Sequence, residues 1–275
     1  MYATLDLIKT SKRSGRLVGV HQKIDRLARR QISPYLRKPN VFPSIKEILY
    51  FEGTNGPDGI KRKSPNEDEP HSFINPDHDD KRLFTQIVNH HHKLSLALKN
   101  SDREQSAFEA AWLAHFVVDG LTPAHHYPFE QKVEALMSDK DYVKLFGQKI
   151  KGIMRGRNLP EAIKNNWQYL GIGGVMTRHI AYEMGVAYAI GPVSGTKILA
   201  RCQKPPLPPR APGEVFYSYL DYIHTMRIYD RFLESGWTVE LIEENNKILI
   251  PQIISCLSEI WLSALPDTDR KARHE

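Results

Sequence analysis

The stretch AWLAHFVVDGLTPAHHYP, residues 111–128, decides how the rest of the chain is read. His115 and Asp119 stand four apart, so on a helix they project from one face, the face that Trp112 otherwise turns toward a core. A histidine and an aspartate on the apolar side of an alanine-rich helix need partners, because an unpaired buried charge is expensive. Gly120 ends the helical pattern, Pro123 turns the chain, and His125 and His126 follow at once. The segment reads as a buried helix that delivers imidazole and carboxylate groups to one place.

A second pair has the same spacing. His179 and Glu183, in TRHIAYEMG, are again four apart on a helical pattern. Two such pairs on neighbouring helices would converge on the space between them, and imidazole nitrogen with carboxylate oxygen is the donor mixture suited to zinc and similar divalent ions. His21 lies on the apolar stripe of the first helix, where a single histidine reads more simply as a satisfied core residue. Asp58 and His71 fall in a turn-rich polar loop, GPDGIKRKSPNEDEPHSFINPD, whose plain reading is a solvated turn. His90-His91-His92 read as a solvated or partly packed helix face, Asp77 to Asp80 as the acidic start of the next helix, and His224 has no partner visible in the sequence.

Outward from these motifs the apolar spacing is helical nearly everywhere. Leu17, Ile24, Leu27 and Ala28 form one stripe. A short helix is expected around Ser44 to Tyr50, inside a proline- and glycine-marked region running from Pro34 to Pro70. Helices are expected over about 80–99, with Leu83, Ile87, Leu94 and Leu98 as the apolar face, and from a cap at Ser101 or Asp102 to Gly120. Leu159-Pro160-Glu161 starts another helical region, loosened by Gly171, Gly173 and Gly174, and segments near 215–235 and 238–264 complete the chain. No long period-two alternation appears, so the fold class is all-α. The expected organisation is a metal-binding helical core with a basic arm over residues 1–200, a proline-rich linker or strap over 201–214, and C-terminal helices over 215–275 that pack on the core.

Composition bounds the rest. The 275 residues are 25% charged and 41% hydrophobic, which excludes disordered and fibrous classes. No stretch approaches the ~18 uninterrupted apolar residues of a membrane-spanning helix. The first twenty residues show no apolar core of signal-peptide length, which predicts a cytoplasmic protein. Two cysteines, Cys202 and Cys256, give neither a disulfide framework nor a cysteine zinc site. Residues 9–38 concentrate ten basic side chains, more than the net charge of +6 on the whole chain, and suggest contact with nucleic acid, a membrane surface or a phosphorylated substrate. A solvated helix face explains the same charges equally well.

Taken in order, His21, Asp58, His71 before Asn75-Pro76-Asp77, the block His115-x3-Asp119-x5-His125, and His179-x3-Glu183 resemble the zinc-dependent phospholipase C family and its relatives, the single-strand-specific zinc nucleases of fungi and plants. The resemblance covers about residues 17–190. It implies an all-helical fold with zinc ions in one cleft: Asp58, His71, His115 and Asp119 on the first, His125, His179 and Glu183 on the second, and Asp119 with His21 on a third. It also implies a zinc-activated water as nucleophile and Asp58 as an acceptor for its proton. The family's third ion is also held by an N-terminal tryptophan, and no tryptophan precedes Trp112 here, so two ions and three are both open. The 53 residues between His125 and His179 form an unusually long insertion. The functions expected are hydrolysis of an anionic phosphate ester (phospholipid or nucleotide), a single-strand nuclease with the same centre, or a non-catalytic binding protein stabilised by its metals.

Overall fold

A computed structural model describes residues 19–52, 56–57, 73–77, 81–126, 159–171 and 173–271; the expected ligands Asp58 and His71, Leu17 of the first stripe and most of the long insertion lie outside these. The first helix, α1 (Val20–Ile32), buries Val20, Ile24, Leu27, Ala28 and Ile32 against α11 (Ile250–Ser263), and the same face carries His21 and Asp25 inward. The stripe that makes the helix amphipathic thereby fixes where two polar groups enter the core.

Helix α2 (Ile45–Tyr50) is short and depends on its ends. Ser44 and Glu47 form a capping box: the Ser44 N–H donates to Glu47 Oε2 at 2.7 Å, and the Glu47 N–H returns to Ser44 Oγ at 3.4 Å. The Arg103 guanidinium then clamps both Glu47 oxygens at 2.7 Å, tying α2 to the first turn of α4 (Arg103–Gly120). The chain leaves α2 with its direction set, and Glu52 follows two residues later.

α3 (Arg82–Lys99) and α4 (Arg103–Gly120) form an antiparallel hairpin. Leu83, Ile87, Leu94 and Leu98 are its buried α3 face, and Asp102 caps α4 by accepting from the Gln105 N–H at 3.0 Å. α4 is buried on nearly every side from Ser106 to Gly120. Small side chains at Ala107, Ala110, Ala111 and Ala114 let its neighbours approach, and the Trp261 indole of α11 donates to the Ala110 carbonyl at 3.2 Å.

α5 (Leu159–Leu170) and α6 (Val175–Ile190) are separate helices, parted at Gly171, Gly173 and Gly174. Gly173 has φ +81°, and a Cβ at Gly174 would lie 2.6 Å from the Tyr169 carbonyl oxygen, so the break needs glycine. Lys23 of α1 reaches the far end of α6, where its ammonium donates to the carbonyls of Ile190, Gly191 and Val193. α7 (Gly195–Leu199) leads into the proline-rich stretch. This is a strap on the core: the Gln203 N–H donates to Ser255 Oγ at 2.9 Å, and Arg210 forks onto buried Glu259 at 2.8 and 3.0 Å.

The two C-terminal segments each divide. α8 (Pro212–Thr225) and α9 (Ile228–Ser235) part where Arg227 takes the left-handed conformation, φ +49°. α10 (Val239–Glu244) joins α11 through a π turn at Asn245–Leu249. Buried side chains of α1, α3, α4, α6, α8, α9 and α11 share one hydrophobic cluster that includes Phe42, Phe116, Tyr182, Phe216 and Trp261. The fold is all-α; a lone bridge pairing Leu36 with Arg270 is the nearest approach to a sheet among the described residues.

Candidate metal centre

Three helices aim histidine and carboxylate into the interior beside α4. His115 and Asp119, one turn apart on α4, meet with His115 Nε2 at 3.2 Å from Asp119 Oδ2. His21 of α1 brings Nε2 to 3.1 Å from Asp119 Oδ1. The two imidazoles stack, ring centroids 4.7 Å apart and planes 19° from parallel. On the opposite edge of the stack, Glu52 Oε1 lies 3.5 Å from His115 Nδ1 and 4.0 Å from His21 Nδ1. His21, Glu52 and His115 form the first group of donors close enough to share a cation.

The second group forms where α4 ends. A 3₁₀ turn, Pro123–His125, is closed by the His125 N–H donating to the Thr122 carbonyl at 2.8 Å, and the His125 carbonyl accepts from the Ile74 N–H at 3.1 Å. Phe73 stacks on the His125 ring at 4.9 Å. Held this way, His125 Nε2 sits 3.3 Å from Glu183 Oε1, and His179 Nε2 reaches the same oxygen at 3.1 Å. Asp119 Oδ1 is 3.8 Å from His125 Nε2 and so lies between the two groups. Ligands about 2.0–2.2 Å from a tetrahedral zinc stand roughly 3.3–3.6 Å from one another, the scale of these separations.

All of these side chains are buried; His115 is 0% exposed and Glu52, the most accessible, 7%. Burial by itself would discharge the imidazole of His115. Asp119 and Glu52 outweigh it and raise its pKa to about 10. Asp119 is held well below the usual carboxylate range despite burial, with His125 and His115 among the groups that hold it there. Glu183 is depressed against its burial as well, with His125 and His179 among the groups that hold it there. Asp25, one turn from His21, shifts the other way: burial, then the charge of Glu52, raises it well above the usual range.

The structure brings together His21, His115, Asp119, His125, His179 and Glu183, six of the eight ligands expected from sequence. His21 belongs to the centre, where its plain reading was a satisfied core residue. His125 rather than His126 enters the second group: the His126 ring is engaged with the Gly120 carbonyl at 2.7 Å, and burial pushes its pKa down to about 3. Glu52 is an addition, and no spacing in the sequence points to it. Asp25, one turn further along α1 and fully buried, belongs to neither donor group.

Other expectations are revised. His90 is buried against Glu109 at 2.5 Å, His91 bonds Ser263 at 2.9 Å and His92 is exposed, so the histidine run is the partly packed helix face that was expected. His224 has a partner in Asp77, at 3.3 Å. In the described part of the basic segment, Lys23 caps α6, while Arg29 donates to the carbonyls of Pro43 and Pro39 and covers the Phe42 ring at 5.7 Å; these charges serve the fold. Among the described residues no helix is long and apolar enough to cross a membrane.

Comparison with family models, curated proteins and solved structures finds no match to this chain.

Proposed function

We propose that the protein is a metal-dependent hydrolase of phosphate esters, of the zinc-dependent phospholipase C type. The observation that carries this reading is the pair of buried donor groups, His21/Glu52/His115 and His125/His179/Glu183, placed on either side of one carboxylate, Asp119. Donors of nitrogen and oxygen, without cysteine, fit zinc in a hydrolytic role better than in a structural one. A divalent ion bound there supplies Lewis acidity, lowering the pKa of a water and neutralising charge on phosphoryl oxygens. The chain's own part is to hold the imidazoles in fixed orientation through Asp119 and Glu183, and to keep bulk water from competing. With Asp58 outside the described residues, its part as proton acceptor stays with the resemblance. A phosphate-ester substrate met in the cytoplasm completes the proposal.

The test is hydrolysis by zinc-loaded protein of phospholipid vesicles and of a single-stranded oligonucleotide, in parallel with Asp119→Asn. Cleavage of either by wild type, lost in a folded Asp119→Asn, supports the hydrolase, and the substrate cleaved separates phospholipase from nuclease. Full zinc loading with no cleavage of either overturns it.

A second reading is favoured by the burial of all the donors among the described residues: ions that only hold helices together, in a binding protein. It predicts a sharp fall in melting temperature on chelation and no phosphate-ester turnover.

A further inference from the structure

The basic segment carries two cations that the metal centre does not employ. Lys23 and Arg29 are turned onto backbone carbonyls, but the Arg37 and Lys38 side chains are exposed and line a cavity of about 710 Å³. Three stretches far apart in the chain build it: the loop 37–43 after α1, the turn from α3 into α4, and the 3₁₀ turn Asp267–Asp269.

These stretches are pinned to one another. The Arg37 N–H donates to the Asp269 carbonyl at 2.9 Å, and its guanidinium to the Thr268 carbonyl at 3.3 Å. Arg103 Nη1 donates to the Asn40 carbonyl at 2.6 Å, and Arg29 holds the Pro43 and Pro39 carbonyls at 2.7 and 3.0 Å. Walls set before a ligand arrives cost it little ordering on binding.

The charge around the cavity is unbalanced. Arg37, Lys38 and Arg103 line it, and Asp269 is the acid among the lining residues. Asp102, beside Arg103, turns its carboxylate to the Gln105 N–H at 3.0 Å. Glu47 pairs with Arg103, yet Arg29 nearby still senses Arg103 more than Glu47: burial and then the Arg103 charge lower its pKa, and Glu47 offsets them less. Val41, Pro43 and Leu98 supply an apolar part of the lining. Pockets of roughly 300–1,000 Å³ with apolar walls and a few convergent polar groups take small organic molecules. Guanidinium beside ammonium suits a phosphoryl dianion, which a guanidinium meets through two parallel hydrogen bonds.

We propose that this cavity is a binding site for a small organic phosphomonoester, its phosphate held by Arg37, Lys38 and Arg103 and its apolar part by Val41, Pro43 and Leu98. The site is separate from the metal centre, since Arg103 precedes His115 by twelve residues on α4, about 18 Å of helix. Hydrolysis of a phosphodiester yields a phosphomonoester, so the ligand and the reaction proposed above share one chemistry; the binding does not depend on that reaction.

The experiment is calorimetric titration of the full chain with phenylphosphonate, whose carbon–phosphorus bond a phosphoesterase does not cleave, and with inorganic phosphate. Phenylphosphonate binds one site per chain, and inorganic phosphate binds about 10-fold more weakly because it leaves the apolar lining empty. Arg37→Ala/Lys38→Ala weakens phenylphosphonate by about 10-fold or more. Lys164→Ala/Lys204→Ala removes as much charge from exposed positions elsewhere, and changes the affinity by less than about 2-fold. Asp269→Asn tightens binding by about 2- to 5-fold, opposite in sign to the effect of a damaged fold. Equal losses in the two double variants reveal diffuse attraction to a basic surface and overturn the site. So do weaker binding by Asp269→Asn, inorganic phosphate that binds as tightly as the phosphonate, or no saturable binding. Binding lost in His179→Ala but kept in Arg37→Ala/Lys38→Ala places the ligand on the metal centre, which overturns this site and leaves the hydrolase reading standing. If Arg37→Ala/Lys38→Ala fails to fold, the sign of the Asp269→Asn effect decides.

Discussion

His21 and His115 lie face to face, centroids 4.7 Å apart, although 94 positions separate them in the chain. Asp119 and Glu52 close the two edges of that stack, so protons and metal ions compete for the same imidazole nitrogens.

The competition has a sign. In the metal-free protein the His115 pKa lies above its ordinary value, at about 10. The stabilisation from its protonated form is therefore complete below about pH 6.5 and is lost as pH rises through 10. The melting temperature of stripped protein should fall between pH 7 and 10. Zinc-loaded protein, in which the ion replaces the proton, should lose less over the same range and release protons on loading. Scanning calorimetry at stepped pH, with and without zinc, measures both.

The two donor groups have no donor in common, so each ion should be removable without the other, although both groups border Asp119. His179→Ala is expected to remove one zinc equivalent and Glu52→Gln to weaken the other, with the double variant losing both. Elemental analysis of purified variants, alongside circular dichroism to confirm helix content, reads the outcome. A single variant that releases both ions would show one indivisible cluster instead.

Glu47 acts at a distance through α2. Its pKa is lowered to about 2, first by the hydrogen bonds from Arg103 and also by those from Ser44, so its contribution is present above about pH 4.5 and fades as pH falls toward 2. Because the pair is partly exposed, replacing Glu47 by Gln should cost only about 1 kcal/mol at neutral pH. The same variant should weaken the first ion several-fold, since Glu52 leaves α2 in a direction the clamp defines. Urea denaturation and zinc titration test the two effects separately.

Gly185 is the point where α6 admits Trp237. A Cβ there would lie 1.8 Å from the indole Nε1, and Trp237 in turn stacks on buried Tyr182 at 5.2 Å. Gly185→Ala should destabilise the protein by about 1–3 kcal/mol through overpacking and reduce zinc retention at His179 and Glu183, on the same helix. Thermal melting and zinc content of the variant check this.

The i, i+4 pairs on α4 and α6 were readable in the sequence because helical spacing alone puts both members on one face, and the end of α4 was marked by Gly120 and Pro123. Spacing carries no information across long chain separations. Glu52 reaches the centre only because the Ser44–Glu47–Arg103 clamp aims the chain after α2, a relationship between residues 56 positions apart. The run of three histidines read as a solvated or partly packed face, and spacing alone did not say that His90 is the member facing Glu109 of α4. Lys23 and Arg29 entered the sequence as charge and leave it as caps for carbonyls, a use that depends on where the ends of α6 and the loop near Pro43 fall. The division at Arg227 was marked by neither glycine nor proline, while that at Asn245–Leu249 is followed by Pro251 in the first turn of α11, a signal that went unread.

α4 is enclosed from Ser106 to Gly120, with Asp119 and His115 on one side, Glu109 against His90 on another, and alanines against α11 on a third. A helix with one wet face can drift at half its positions without consequence. This one has no such reserve: larger residues collide, smaller ones leave voids, and polar changes disturb the donors. In a saturation-mutagenesis survey, residues 106–126 should therefore form the least tolerant window of the chain, narrower in accepted residues than α1 or α6, each of which keeps a solvent side on which substitutions can accumulate.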